Sequence, residues 1–308
     1  MSYLLTTLSP IYGDKILSIL TCLKIPVRLH NSFINRRHTM KYIKPLSVAL
    51  AAIGLSTAVM ANDSVFVPSQ HSGFKVSVDT LYLRENSINK VVDGNYGFGN
   101  DIQIGYLFAN TGNDLTLHYN FLSQDNSDSA KDEKGFFIKG NQTADLDIVD
   151  LELGQRFCAS ALDMRLFSGL RYMKLAHGLK VNSDFGDQSF DTKFSGVGAR
   201  FGVDTRYALG CGLGLDAHLN TGLLVGKVNN SYEDKNTSIR GSEINRVVPE
   251  VEGKLGFDYT SAFCNKSALV FEIGYQTSNH FNAIDESLIN GKSDVNFNGA
   301  YLDVRYYS

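Results

Sequence analysis

The chain has 308 residues, 29 Lys/Arg against 32 Asp/Glu, no tryptophan, five prolines and a formal charge of −3. That balance lacks the basic excess a phosphate-binding face needs and argues against a nucleic-acid partner. Outside the N-terminal region no run of about 18 apolar residues occurs, which argues against helical membrane spans but leaves strand spans open, since only every second residue of such a strand faces lipid.

The first 61 residues read as processing rather than structure. Met40-Lys41-Tyr42-Ile43-Lys44 is a short basic region, Pro45–Met60 an apolar and small-residue stretch, and Val59-Met60-Ala61 a small-residue cleavage motif, together the pattern of a secretory signal peptide over 40–61. Residues 1–39 lie outside that scheme and are expected to be a start-site artefact or a non-structural extension. Removing 1–61, with its seven Lys/Arg and one Asp, leaves 22 basic and 31 acidic residues, about −9. The remaining 62–308 are expected to form one barrel domain.

From residue 74 onward, ten segments alternate apolar with polar residues, the period of a strand whose faces meet different media. The apolar sets begin with Phe74, Val76 and Val78 in the first strand. They continue through Ile102, Ile104 and Tyr106, then Leu115, Leu117 and Tyr119, and end with Leu302, Val304 and Tyr306. Connections at Asn110–Asn113, Cys158–Asp163, Leu209–Gly212 and Thr260–Lys266 are short. Those at Asn86–Tyr96, Ser123–Thr143, His177–Thr192, Asn229–Asn245 and Ser278–Asn298 are long. Strict alternation of tight turns and long loops is the wiring of an all-β, antiparallel, up-and-down transmembrane β-barrel of about ten strands, with short periplasmic turns and long extracellular loops. Phe74, Phe108, Phe157, Tyr207, Tyr259 and Tyr306 gather at the short-turn end, as an interfacial aromatic girdle requires. The bacterial outer membrane follows as the location, with its lipid, lipopolysaccharide and the barrel assembly machinery as expected partners.

The interleaved positions carry charge and are expected to line the lumen. They are Glu152 and Arg156 in the fourth strand and Arg165 and Arg171 in the fifth. The sixth supplies Arg200, Asp204 and Arg206, and the seventh Asp216 and His218. Glu250, Glu252 and Lys254 follow in the eighth, Glu272 in the ninth and Arg305 in the tenth. In a narrow lumen such charges pair and plug; in a wider one they line a channel and set ion preference. Eight strands leave an interior just filled by side chains and 16–18 leave an aqueous channel, so ten lie nearer the filled end. Pro249 falls inside the eighth strand and is expected at a bulge near the outer rim.

Cys158, Cys211 and Cys264 recur every 53 residues, each in or beside a short turn. They are candidates for a disulfide or for cross-linking between copies of the chain, or they are small turn residues, since the hairpin period alone generates the spacing. Gly196-Val197-Gly198-Ala199-Arg200-Phe201-Gly202 imitates a dinucleotide fingerprint, but its third glycine is one residue late and no helix follows. Its glycines are expected to face the interior. His177 with Asp184 and Asp187, and His280 with Asp285 and Glu286, are the only loop groupings that suggest catalysis, and they lack the paired carboxylates such a site needs. No catalytic residue, metal or cofactor is therefore assigned.

Several segments resemble the Legionella-type major outer membrane protein family. They are Gly196–Asp204 running into Leu209–Leu215, Gly222–Gly226, Val248–Gly256, Leu151–Arg156 and Ser168–Tyr172. The resemblance covers most of the mature chain and is strongest from Asp147 to Tyr275. It implies a surface-exposed, porin-like protein, cysteine cross-linked and in contact with host cells. Two functions remain: a narrow, polar, charge-lined pore for small solutes or ions, or an adhesin or structural protein with a plugged lumen whose long loops bind a host ligand.

Overall fold

The computed structural model describes residues 72–87, 95–131, 137–183, 186–263, 267–286 and 291–308; the proposed signal peptide, the extension before it and Cys264 lie outside them. The described chain is all strand: β1 Gly73–Ser87, β2 Tyr96–Leu107, β3 Asn113–Lys131, β4 Phe137–Ala159, β5 Leu162–Ser183, β6 Gly186–Gly210, β7 Leu213–Asp234, β8 Ser238–Arg240, β9 Ile244–Phe263, β10 Ser267–Glu286 and β11 Gly291–Tyr307. All pairings are antiparallel. The sheet order β6-β5-β4-β3-β2-β1-β11-β10-β9-β7 closes through β6–β7 into a ten-stranded up-and-down barrel, with β8 a three-residue addition to β7.

Tight turns close one end. Ser160 and Ala161 link β4 to β5, and Cys211 and Gly212 link β6 to β7, with Ser160, Cys211 and Gly212 at positive φ. The seam between the first and last strands is fastened by Ser308 N–H donating to Phe74 O (3.0 Å) and Phe74 N–H donating to Ser308 Oγ (2.8 Å). Tyr306 faces outward there and Tyr307 inward.

The expected long loops are largely strand. Pairing between β3 and β4 runs out to Lys131↔Phe137, and between β5 and β6 to Ser183↔Gly186. The alternation that marks these extensions is phase-inverted. Nearer the turns, apolar residues point outward: Leu151, Leu153, Leu170, Phe201, Leu223 and Ile273 are all exposed. Further out on the same strands, apolar residues point inward (Leu146, Ile148, Met173, Leu175, Phe194, Leu224), while Asp145, Asp147, Lys174, Lys193 and Lys227 point outward. The lower barrel therefore shows its apolar face to lipid, and the upper barrel is built as a protein in water, apolar inside and polar outside. A ring of exposed Tyr82, Tyr96, Phe98, Tyr119, Tyr172 and Tyr275 accompanies the change of phase and marks the outer interface, where amphipathic rings are favoured. At a rise of roughly 3.3 Å per residue and a tilt of roughly 45°, a 25-residue strand such as β6 stands about 58 Å tall, some 28 Å more than a hydrocarbon core of about 30 Å.

Pro249 is no bulge in the β7–β9 ladder: it pairs in register with Leu223, and the ladder from β9 to β10 stops one residue away at Glu250↔His280, so its missing N–H leaves no gap on that side. The irregularity lies opposite, in β10 between His280 and Ile284. There Asn282 takes φ 57°, and Ala283 and Ile284 tuck into the interior. Arg246 Nη1 reaches across from β9 and donates to Asn282 O and Ile284 O, both at 3.2 Å.

Candidate functional site

The inner wall has three levels. Nearest the turns the inward positions are mostly polar, interrupted by the buried Leu107, Phe167, Ala268, Val270 and Tyr307. The middle level is apolar: Leu81, Leu83, Leu122, Leu146, Ile148, Met173, Phe194, Leu224, Val248 and Phe297 form one contiguous cluster, none more than 5 % exposed. Polar side chains return above it. His177 Nε2 lies 3.2 Å from Glu85 Oε1 and from Gln142 Nε2, and Gln124 accepts from Glu85 N–H and donates to Leu83 O.

In the lower level, charge is arranged as a continuous network. Arg165 donates to Asp114 (2.7 Å), Glu152 (3.1 Å) and Asp204 (3.0 Å). Arg200 binds Asp150 (2.6 Å) and Glu152, and Arg171 binds Asp150 (2.6 Å) and Glu250 (2.9 Å). Each carboxylate shared by two guanidiniums locks neighbouring strands together, and planar guanidinium forks suit such sharing. Arg165 and Arg200 also flank the Phe167 ring, 4.8 and 5.2 Å from its centroid. Across the lumen, Lys254 binds Asp79 (3.0 Å), Arg206 binds Asp258 (2.8 Å), and Arg305 binds Glu272 (2.8 Å) and Asp303 (2.6 Å). Arg156 pairs with Asp163 near the turns (2.9 Å).

Glycines make room for these crossings. A Cβ at Gly154 would meet Arg165 Nε at 2.5 Å, and one at Gly222 would meet Glu250 Oε1 at 2.4 Å. In the run that imitates a nucleotide loop, Gly202 lies against the Phe167 ring and Gly196 against the Phe194 ring. Both glycines occupy β6, inside the barrel.

All fourteen sequence-assigned charges point inward. Twelve of them surround one cavity of about 110 Å³, room for a small cluster of water molecules; Arg171 and Glu250 are buried beside it in their own ion pairs. The network also uses Asp114, Asp150, His118, Asp258 and Tyr301, which the sequence assignment left out. Asp150 shares the inward parity of Glu152, and that parity alone points to it. Asp114 opens β3 immediately after a turn, where two positions of alternation carry little signal. His177 and His280 are not loop residues: both are buried inside the barrel, facing Glu85 and Glu250. Cys211 is held in a disulfide whose partner is not among the described residues. Cys158 is an exposed thiol with Sγ 3.6 Å from Asp163 Oδ1.

A closed antiparallel barrel with lipid-facing apolar residues, two aromatic rings and a charged interior defines an outer-membrane β-barrel protein. The chain matches the family of the Legionella pneumophila major outer membrane protein precursor over residues 66–308. It belongs to that family, and the bacterial outer membrane is its location. No curated protein sequence matches it. Among solved structures it is similar to the outer membrane protease OmpT of Escherichia coli (10 % identity, TM-score 0.48, 79 % of this chain and 98 % of that one). It is also similar to a major outer membrane protein of Thermus thermophilus (14 %, 0.36, 78 % and 100 %) and to Neisserial surface protein A (13 %, 0.30, 75 % and 95 %).

Proposed function

We propose that this barrel is a closed surface protein rather than an open pore, acting through the hairpins that stand above the outer interface. The observation that carries this reading is the apolar level of the lumen. A hydrated ion or polar solute rising through the charged lower level meets a contiguous layer of Leu81, Leu146, Met173, Phe194, Leu224 and Phe297, and a hydrophobic constriction of this kind excludes water. The lower network supports the same reading, because its charges face one another at 2.6–3.1 Å instead of an aqueous channel. The polar outer wall, with Lys174, Lys193 and Lys227, suits contact with lipopolysaccharide, and the hairpin tips are the natural place for a host ligand. Catalysis by His177 or His280 is disfavoured by their burial in the lumen.

Planar-bilayer recording of the refolded protein tests this. Wild type is expected to give no steady current, and a variant carrying Phe194→Ala with Phe297→Ala is expected to conduct. Steady ohmic channels from wild type would restore the narrow-pore reading.

A further inference from the structure

At the lower level of the lumen, Asp216, His218 and Glu272 bring one ligand atom each to within 4.8 Å of one another, and all three face the 110 Å³ cavity. Asp216 and His218 sit two residues apart on β7, on the same face. Glu272 reaches them from β10, across the intervening β9.

Three features of this cluster bear on what it holds. First, His218 meets a carboxylate at both ring nitrogens: Nδ1 is 2.9 Å from Asp204 Oδ1 and Nε2 is 3.3 Å from Glu272 Oε1. A neutral imidazole has one N–H, so the second nitrogen needs either a further proton or a metal. Second, Asp216 is 3 % exposed and its side chain faces the Asp258 carboxylate, with no donor at its buried Oδ2, a costly state for a carboxylate oxygen. A protonated His218 satisfies the first feature and not the second. Third, β9 keeps the crossing clear with Gly256, where a Cβ would meet Tyr301 Oη at 2.6 Å and Glu272 Oε1 at 2.9 Å.

We infer that Asp216, His218 and Glu272 form a binding site for a divalent transition-metal ion, reached from the lumen cavity. One imidazole nitrogen with two carboxylate oxygens is a borderline donor set suited to Zn²⁺, Mn²⁺ or Fe²⁺. Metal–ligand bonds of about 2.0–2.1 Å place tetrahedral ligands roughly 3.3 Å apart; His218 Nε2 and Glu272 Oε1 already stand 3.3 Å apart. The two carboxylates and a neutral imidazole carry −2, which the ion neutralises. The surrounding shell is also in place. Asp204 holds Nδ1–H and so presents Nε2 to the metal, as metal-bound histidines commonly require. Tyr301 donates to Glu272 Oε1, and Arg305 holds Glu272 Oε2 at 2.8 Å. The fourth position opens on the cavity and would hold water. Bound there, the ion ties β7 to β10 over β9.

The refolded barrel, stripped with chelator and dialysed, is titrated with ZnCl₂ in a calorimeter. One equivalent per barrel is expected. Asp216→Asn and His218→Gln should weaken binding by on the order of tenfold or more, and Gly256→Ala, whose Cβ presses on Glu272 Oε1 without removing a donor atom, should weaken it too. His177→Ala, in the upper lumen, should bind like wild type. Folding of each variant is checked by its heat-dependent mobility on gels. A second readout needs no variant: Zn²⁺ should protect His218 from diethylpyrocarbonate, mapped by mass spectrometry. Absence of stoichiometric binding, equal binding by Asp216→Asn and His218→Gln, or unprotected His218 in zinc-saturated wild type overturns the site and leaves His218 as a protonated bridge between Asp204 and Glu272.

Discussion

The lower and upper halves of the barrel are built on shared strands with opposite polarity. Below the ring of Tyr82, Tyr172 and Tyr275, the wall is apolar outside and charged inside; above it, Asp145, Lys174 and Lys227 face out while Leu146, Met173 and Phe194 face in. Each half places its apolar atoms away from water, and only the medium outside the wall differs. A period of two therefore identifies a strand, and the phase of that period identifies the solvent around it.

The largest effect expected on this comparison comes from the lower interior. Arg165→Met leaves Asp114, Glu152 and Asp204 facing one another with their shared cation gone, and breaking a buried network of this kind costs about 3–5 kcal/mol; urea unfolding of the refolded barrel in liposomes measures it. The boundary between the halves is sharpened next by two changes on one face of β5. Leu170→Lys, on the lipid side, should cost about 2–4 kcal/mol. Lys174→Leu, four residues further out, should change stability by less than about 0.5 kcal/mol. Equal costs for the two would move the interface away from the tyrosine ring. A small, salt-sensitive effect is expected at an exposed ion pair of the upper exterior. Lys227 and Glu243 pair at 3.0 Å but are 58 % and 48 % exposed, so Glu243→Gln should cost less than about 1 kcal/mol and the loss should vanish in high salt.

The lower half was legible in the sequence because its alternation is long and its two faces differ sharply. Leu151-Glu152-Leu153 and Arg200-Phe201 gave both strand and facing, and the fourteen inward charges followed from parity. The upper half was misread as loop. Thr143, Asp145 and Asp147 lie among Ala144, Leu146 and Ile148, and a search for outward apolar residues finds polar ones at those positions, although β4 continues unbroken through them. The apolar level of the lumen went unseen for the same reason. Which carboxylate meets which guanidinium depends on register between strands far apart in sequence, such as Arg171 and Glu250, 79 residues apart, and no local pattern carries that. The approach of Glu272 to Asp216 and His218 needs in addition the missing side chain at Gly256, which has no signature of its own.

The seam between β1 and β11 has a consequence for the order of assembly. Its clasp joins Phe74 to Ser308, 234 residues apart, whereas the β4–β5 hairpin closes over two. Closing a flexible loop of that length costs about 3 kcal/mol more than closing one of about ten residues, so the seam gains a practicable rate only when the intervening hairpins have already zipped and shortened the effective path. Until then β1 and β11 both present open edges, each able to capture a strand from another chain. The newly exported polypeptide is therefore most exposed to mispairing at its two ends, and Ser308, by fastening the final ladder, removes both edges in one step.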